Sequence, residues 1–237
     1  MTAALGSPAL FLLTFAILGR FTSDPAAAER YMIGMAALAA SMTVLQGVLQ
    51  TFSTERFSGT PYVRFGARGS PWSAYLSRGC LPFLNGMLSV GVSIAFSWVF
   101  LGLDVRQTDW LTLACATAGM SFSCTALALF VGNFVLVVRG YLEFAGLFHG
   151  ALMLLSGAII PTHLLPVPLG LVGQLLPVTA GLVAFRAAFS GAGLGVVGGA
   201  LYQELAVGIA YLVTGFITQQ LFAHLAKRRG TLEVWTS

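Results

Sequence analysis

Charged residues divide this chain into long apolar windows, and those windows set the elements to expect. Residues 1–19 carry no charge, and their apolar part, 8–18, predicts a first helix. It is short for a span unless its neighbours join it, since a crossing takes about 20 residues. Arg20, Asp24, Glu29 and Arg30 form the following loop, with Asp24-Pro25 as a break or a helix start. Residues 31–54 read as a full second span. The stretch 55–80 is polar, with four arginines (Arg56, Arg64, Arg68 and Arg78) against one acid, Glu55. Its aromatic members Phe57, Tyr62, Phe65, Trp72 and Tyr75 predict a short amphipathic helix lying at the membrane interface. Within it, Ser70-Pro71-Trp72 reads as a cap followed by proline in the first helical turn.

A third span is expected over 81–103, then a tight polar turn at Asp104, Arg106 and Asp109. The fourth, 110–138, is closed by Arg139-Gly140. Residues 144–185 carry no formal charge, yet Pro161, Pro166, Pro168 and Pro177 interrupt them. Each proline removes a backbone donor, and in hydrocarbon such breaks persist only where protein or water satisfies the freed groups. The economical solution is one span over 146–160, followed by short broken helices that dip at the outer surface. Arg186 then sits at the interface, 191–199 forms a flexible turn, and a last span, 201–225, stops before Lys227-Arg228-Arg229. The expected fold is an all-α membrane protein with six transmembrane helices. It forms a single transmembrane domain over 1–237, with a polar loop segment over 55–80 and a re-entrant outer segment over 161–198.

Composition removes the main alternatives. The chain is 57% hydrophobic and 8% charged, with mean hydropathy +0.86; a soluble domain carries roughly a quarter charged residues. Twelve basic residues scattered over so apolar a chain cannot make a phosphate-neutralising face, so nucleic acid is not an expected partner. Cys80, Cys115 and Cys124 have no zinc or redox spacing, and no phosphate-binding loop, dinucleotide fingerprint or His-Glu-x-x-His occurs. The uncharged start reads as a first span rather than a cleaved signal peptide. Eight of the twelve lysines and arginines fall on the side of 55–80, 139–145 and the C-terminal tail. The other four are Arg20, Arg30, Arg106 and Arg186. This bias predicts that both termini and the 55–80 segment are cytoplasmic.

Two stretches carry a family resemblance. After the second span stands Glu55-Arg56-Phe57-Ser58-Gly59-Thr60; after the fourth come Leu155-Ser156-Gly157-Ala158-Ile159-Ile160-Pro161, Leu165-Pro166, Leu176-Pro177-Val178-Thr179 and Ala184-Phe185-Arg186. In this order the chain resembles the membrane subunits of type-2 ABC exporters from about residue 8 to 225. The resemblance implies a permease that pairs with a second copy or a homologous permease and binds two cytoplasmic ABC ATPase subunits. ATP and Mg would be used on those partners, and no cofactor is expected on this chain. It further implies that Glu55, Arg56, Gly59 and Thr60 lie in a coupling helix seated on the ATPase. Gly157, Pro161, Pro166, Pro177, Thr179 and Arg186 would belong to an outer re-entrant gate. The chain departs from the family where a further acid and a leucine–acid pair are usual, carrying Phe57-Ser58 and Pro61-Tyr62 instead. The family's usual N-terminal interfacial helix is expected to be missing or shortened.

Other polar residues have their own readings. Asn133 is expected to tie two helices together, and His149 to be a neutral, hydrogen-bonded residue of the fifth span. His163 and His224 have no second ligand at a metal-binding spacing, and no metal site is expected. Glu143 and Glu204 fall near predicted helix ends, so interfacial placement is expected for both, with Glu204 reaching Arg186 across the outer surface. An exporter permease therefore leads. An ion-coupled carrier would want a carboxylate at the midplane and an internal repeat. A membrane enzyme would want acids and histidines clustered at one face.

Overall fold

The computed structural model describes residues 25–57, 71–135, 141–159 and 166–229. Seven helices occupy them: α1 (Pro25–Phe57), α2 (Pro71–Leu101), α3 (Trp110–Val135), α4 (Tyr141–Leu155), α5 (Val167–Leu175), α6 (Thr179–Phe189) and α7 (Leu194–Arg229). There is no strand among the described residues. Four of the helices, α1, α2, α3 and α7, are long and apolar enough to cross a membrane; α5 and α6 form a pair bent by 83°, which makes a fifth crossing if counted as one span. The apolar window 1–19 lies outside the described residues.

The core lies along α1 and α3. About seven-tenths of each of their apolar windows is buried, against 17% for α7. Helix α3 is central, packing on α7, α1, α6 and α2. Small residues allow close approach there, as expected where lipid supplies no hydrophobic drive between helices. At Gly132 a Cβ would meet the Phe52 ring within 2.6 Å, and at Gly208 it would lie 2.8 Å from the Phe122 ring. Gly34 and Gly47 are tight against the Ala158 carbonyl and Pro82, whereas Gly91 faces open space.

Helix starts follow local chemistry. Proline opens both α1 and α2, where its missing N–H costs nothing. Asp109 caps α3: its carboxylate accepts from the Leu111 and Thr112 amides at 3.0 and 3.3 Å and from the Thr112 hydroxyl at 3.0 Å.

Three expected boundaries are corrected. The segment from Pro71 to Arg78 is not a separate interfacial helix. It is the first two turns of α2, which continues through Pro82 to Leu101. Its aromatic residues are held by a distant helix: Trp72 stacks on Phe216 of α7 at 3.7 Å, and Tyr75 meets the same ring edge-on at 5.9 Å. Helix α4 ends at Leu155 rather than 160, because Gly157 takes φ 81°. Its 15 residues span about 22 Å, short of the roughly 30 Å hydrocarbon core. Finally, 191–199 is not a flexible turn. The turn is confined to Ser190–Gly193, and α7 runs from Leu194 through Lys227 to Arg229.

Candidate functional site

Two polar constellations lie at different levels of the bundle. The first joins the facing ends of α1 and α2. Glu55, in the last turn of α1, meets Arg78 of α2 through Nη2–Oε2 at 2.9 Å and Nε–Oε1 at 3.3 Å. Both side chains are buried. The guanidinium also lies 4.6 Å from the centroid of the Phe52 ring, one helical turn before Glu55, which adds a cation–π contact. The pair thus fixes the two helices from which the arginine-bearing segment springs. Nearby, Asn133 of α3 donates through Nδ2 to the Gly215 carbonyl of α7 at 2.7 Å. Arg56 falls within α1, but its side chain lies outside the described residues, as do Gly59 and Thr60.

The second constellation surrounds the break between α5 and α6. Pro166 precedes α5 and its carbonyl accepts from the Gly170 amide at 3.0 Å. At the far end of α5 the Gly173 carbonyl accepts from the Leu176 amide at 3.1 Å and from the Thr179 hydroxyl at 2.6 Å. Helix α5 approaches the end of α4 there, since a Cβ on Gly173 would lie 2.6 Å from the Leu155 carbonyl oxygen. Pro177 is buried in the elbow, and Val178 follows it with φ 81° and ψ −30°. A β-branched residue pays about 1–3 kcal/mol for such a backbone.

Two charged side chains complete this site, each at a different broken end. Glu204 of α7 is 1% exposed. It accepts from the Val178 amide at 2.7 Å, from the Gly181 amide at 2.9 Å and from the Ser123 hydroxyl of α3. A carboxylate therefore meets the otherwise unsatisfied donors at the N-terminus of α6, where the helix dipole favours negative charge. Arg186 does the converse. Its Nη2 donates to the Gly157 and Ala158 carbonyls at 3.0 and 3.1 Å, just past the C-terminal end of α4.

The expected pairing of Glu204 with Arg186 is thus overturned, as is the interfacial placement of Glu204. Helix α7 begins seven residues earlier than its apolar window suggested, so Glu204 stands ten residues inside it rather than in its first turn. That is about 15 Å along the axis. Each charge instead satisfies backbone groups that hydrocarbon would leave orphaned. His149 is half-buried on α4; Pro161 and the Glu143 side chain lie outside the described residues. Sequence reasoning missed Ser123 and the carboxylate's role as a cap. The available signal was an acid facing a proline-broken segment that needed an acceptor.

A bundle of apolar membrane-length helices, with one bent helix pair whose ends are satisfied by charged side chains, defines a polytopic α-helical membrane protein. The family described as ABC-2 type transporter, ABC2_membrane, matches residues 3–190, and the chain belongs to that family. It is a family of non-catalytic permeases whose context is a membrane and ATPase partners. No curated protein gives a significant match to the chain. Among the described residues no group of three or more His, Cys, Asp or Glu could hold a metal ion.

Proposed function

We propose that this chain is the membrane-spanning permease subunit of an ATP-driven exporter in the plasma membrane, moving a drug, lipid or glycolipid-like substrate out of the cytoplasm or inner leaflet. The observation that carries the reading is the family match over residues 3–190. In this reading residues near 8–22 supply a first span, α1, α2 and α3 the next three, α4 together with the non-helical residues that follow it the fifth, and α7 the sixth. The positive-inside bias supports cytoplasmic termini. Two permeases, identical or homologous, pair with two ABC ATPase subunits.

The segment between α1 and α2 is the coupling element, with Arg56, Gly59 and Thr60 making the ATPase contact. Glu55 serves it differently, by bracing its root against Arg78. A cytoplasmic lever must be stiff where it enters the membrane, and a buried ion pair with a ring beneath it supplies that stiffness. Helices α5 and α6 act as an outer gate together with Gly157, Pro161 and Arg186.

The test is assembly of the full chain with a candidate ABC ATPase that copurifies with it, followed by Gly59→Trp and Arg56→Glu. Both variants should insert normally and lose transport, with nucleotide turnover no longer responding to substrate. Unchanged coupling in both would remove the role of the segment. Failure of any ATPase to copurify with the wild-type chain would remove the exporter reading itself.

A further inference from the structure

The two arms of the broken pair are held very differently. Every residue of α6 except Val183, Arg186 and Ala187 is buried, and the helix is fixed at both ends. Its N-terminus is bound by Glu204 and Ser123. At its C-terminus the Ala188 carbonyl accepts from the Asp109 amide at 2.9 Å, and the Gly191 turn approaches the Gln107 carbonyl. Helix α5 buries only Gly173 and exposes Val167, Leu169, Leu171, Val172 and Leu175. Between the arms stands Val178, in a backbone state that glycine takes freely and valine resists.

We propose that Glu204 is a positioning residue which holds the Val178 elbow in place from α7. It makes α6 one body with α3 and α7, and leaves α5 as the arm that moves. The carboxylate reaches three elements at once: its own helix, Ser123 of α3 and the first amides of α6. A shift of α7 against α3 therefore acts directly on the elbow. Without the carboxylate, the Val178 and Gly181 amides lose this acceptor, and the Thr179–Gly173 bond across the elbow is left to oppose the relaxation of Val178 towards negative φ. The bend between the arms then becomes variable, while Arg186 and the Asp109–Ala188 bond still fix the far end of α6. Describing α5 as a gate arm rests on the permease reading; the positioning role of Glu204 does not.

The experiment uses the full chain, with its three natural cysteines replaced, in nanodiscs of phosphatidylethanolamine and phosphatidylglycerol. Spin-label pairs at Leu111→Cys with Leu171→Cys, and at Leu111→Cys with Val183→Cys, report α5 and α6 against α3. All three label sites are exposed. Glu204→Ala should broaden the α5 distance distribution at least twofold and leave that of α6 narrow. Adding Val178→Gly should bring the mean α5 distance back towards that of the unmodified chain without restoring its width, because glycine takes positive φ free of strain but does not enforce it. Glu204→Gln, which keeps an oxygen acceptor and the side-chain shape, should give intermediate broadening and covers the case in which the alanine variant does not fold. An unchanged α5 distribution in Glu204→Gln and Ser123→Ala, equal broadening of both arms, or no return of the mean α5 distance with Val178→Gly would overturn the proposal. Rescue of the elbow in a chain that recruits no ATPase would keep the positioning role and sink only the permease reading.

Discussion

Glu55 and Arg78 show how much a single pair carries in a chain with so few charges. Removing one partner of a buried ion pair costs about 3–5 kcal/mol, because the other charge is left uncompensated. Glu55→Ala and Arg78→Ala should each lower the thermal midpoint of the purified chain strongly, and the double variant should lose less than the sum. Additive losses in a melting series would show that the pair is not a unit. Arg78→Lys should recover only part of the loss, since an ammonium lacks the flat fork that meets both the carboxylate and the Phe52 ring. By contrast Asn133→Ala should cost about 0.6 kcal/mol, the usual size of a hydrogen bond between membrane helices. Both acids of interest stand out in a sequence with eight, but their partners do not. Arg78 lies 23 residues from Glu55 and Ser123 lies 81 from Glu204, so neither contact leaves a local pattern to read.

At the scale of elements, local signals were legible and long-range ones were not. The proline start of α2 and the start of α3 at Trp110 are set by neighbours in the chain, and both fall where the sequence puts them. The fate of Trp72 and Tyr75 is set by Phe216, more than a hundred positions away, so aromatic residues that read as interfacial are packing residues. Likewise the run of glycines at 195–199 read as a turn because glycine disfavours helix in water, whereas it lies within α7. The fit of α1 to α2 gives a test of this level. A Cβ at Gly47 would lie 3.3 Å from Pro82, while one at Gly91 meets nothing within 4 Å. Gly47→Leu should therefore separate the helices and destabilise the chain by about 1–3 kcal/mol, and Gly91→Leu should leave the melting temperature of the isolated chain unchanged. Equal effects of the two would mean that α1 and α2 do not pack through Gly47.

For the whole molecule, helix α1 serves as a ruler. Gly34, near its start, faces the Ala158 carbonyl and the Arg186 guanidinium, and Glu55, near its end, holds Arg78. Twenty-one residues of helix separate those positions, about 32 Å, which matches the hydrocarbon thickness of roughly 30 Å. The two charged sites therefore lie one bilayer apart. The loop joining α2 to α3 packs at the Arg186 end, through Asp109 and Gln107 against Ala188 and Gly191. The arginine-bearing segment leaves from the Glu55 end. Cysteines introduced one at a time at Arg64 and Arg106, after replacement of exposed Cys80 and Cys115 and of buried Cys124, turn this into a measurement. The charge bias predicts that the side holding eight of the twelve basic residues is cytoplasmic. An impermeant maleimide added to intact cells should then label Arg106→Cys and spare Arg64→Cys, which should react only after permeabilisation. Labelling of both from outside would break the ruler argument, because the two ends of α1 would then share a side. Reversed labelling would keep the ruler but invert the chain, leaving the proposed coupling segment out of reach of any cytoplasmic ATPase.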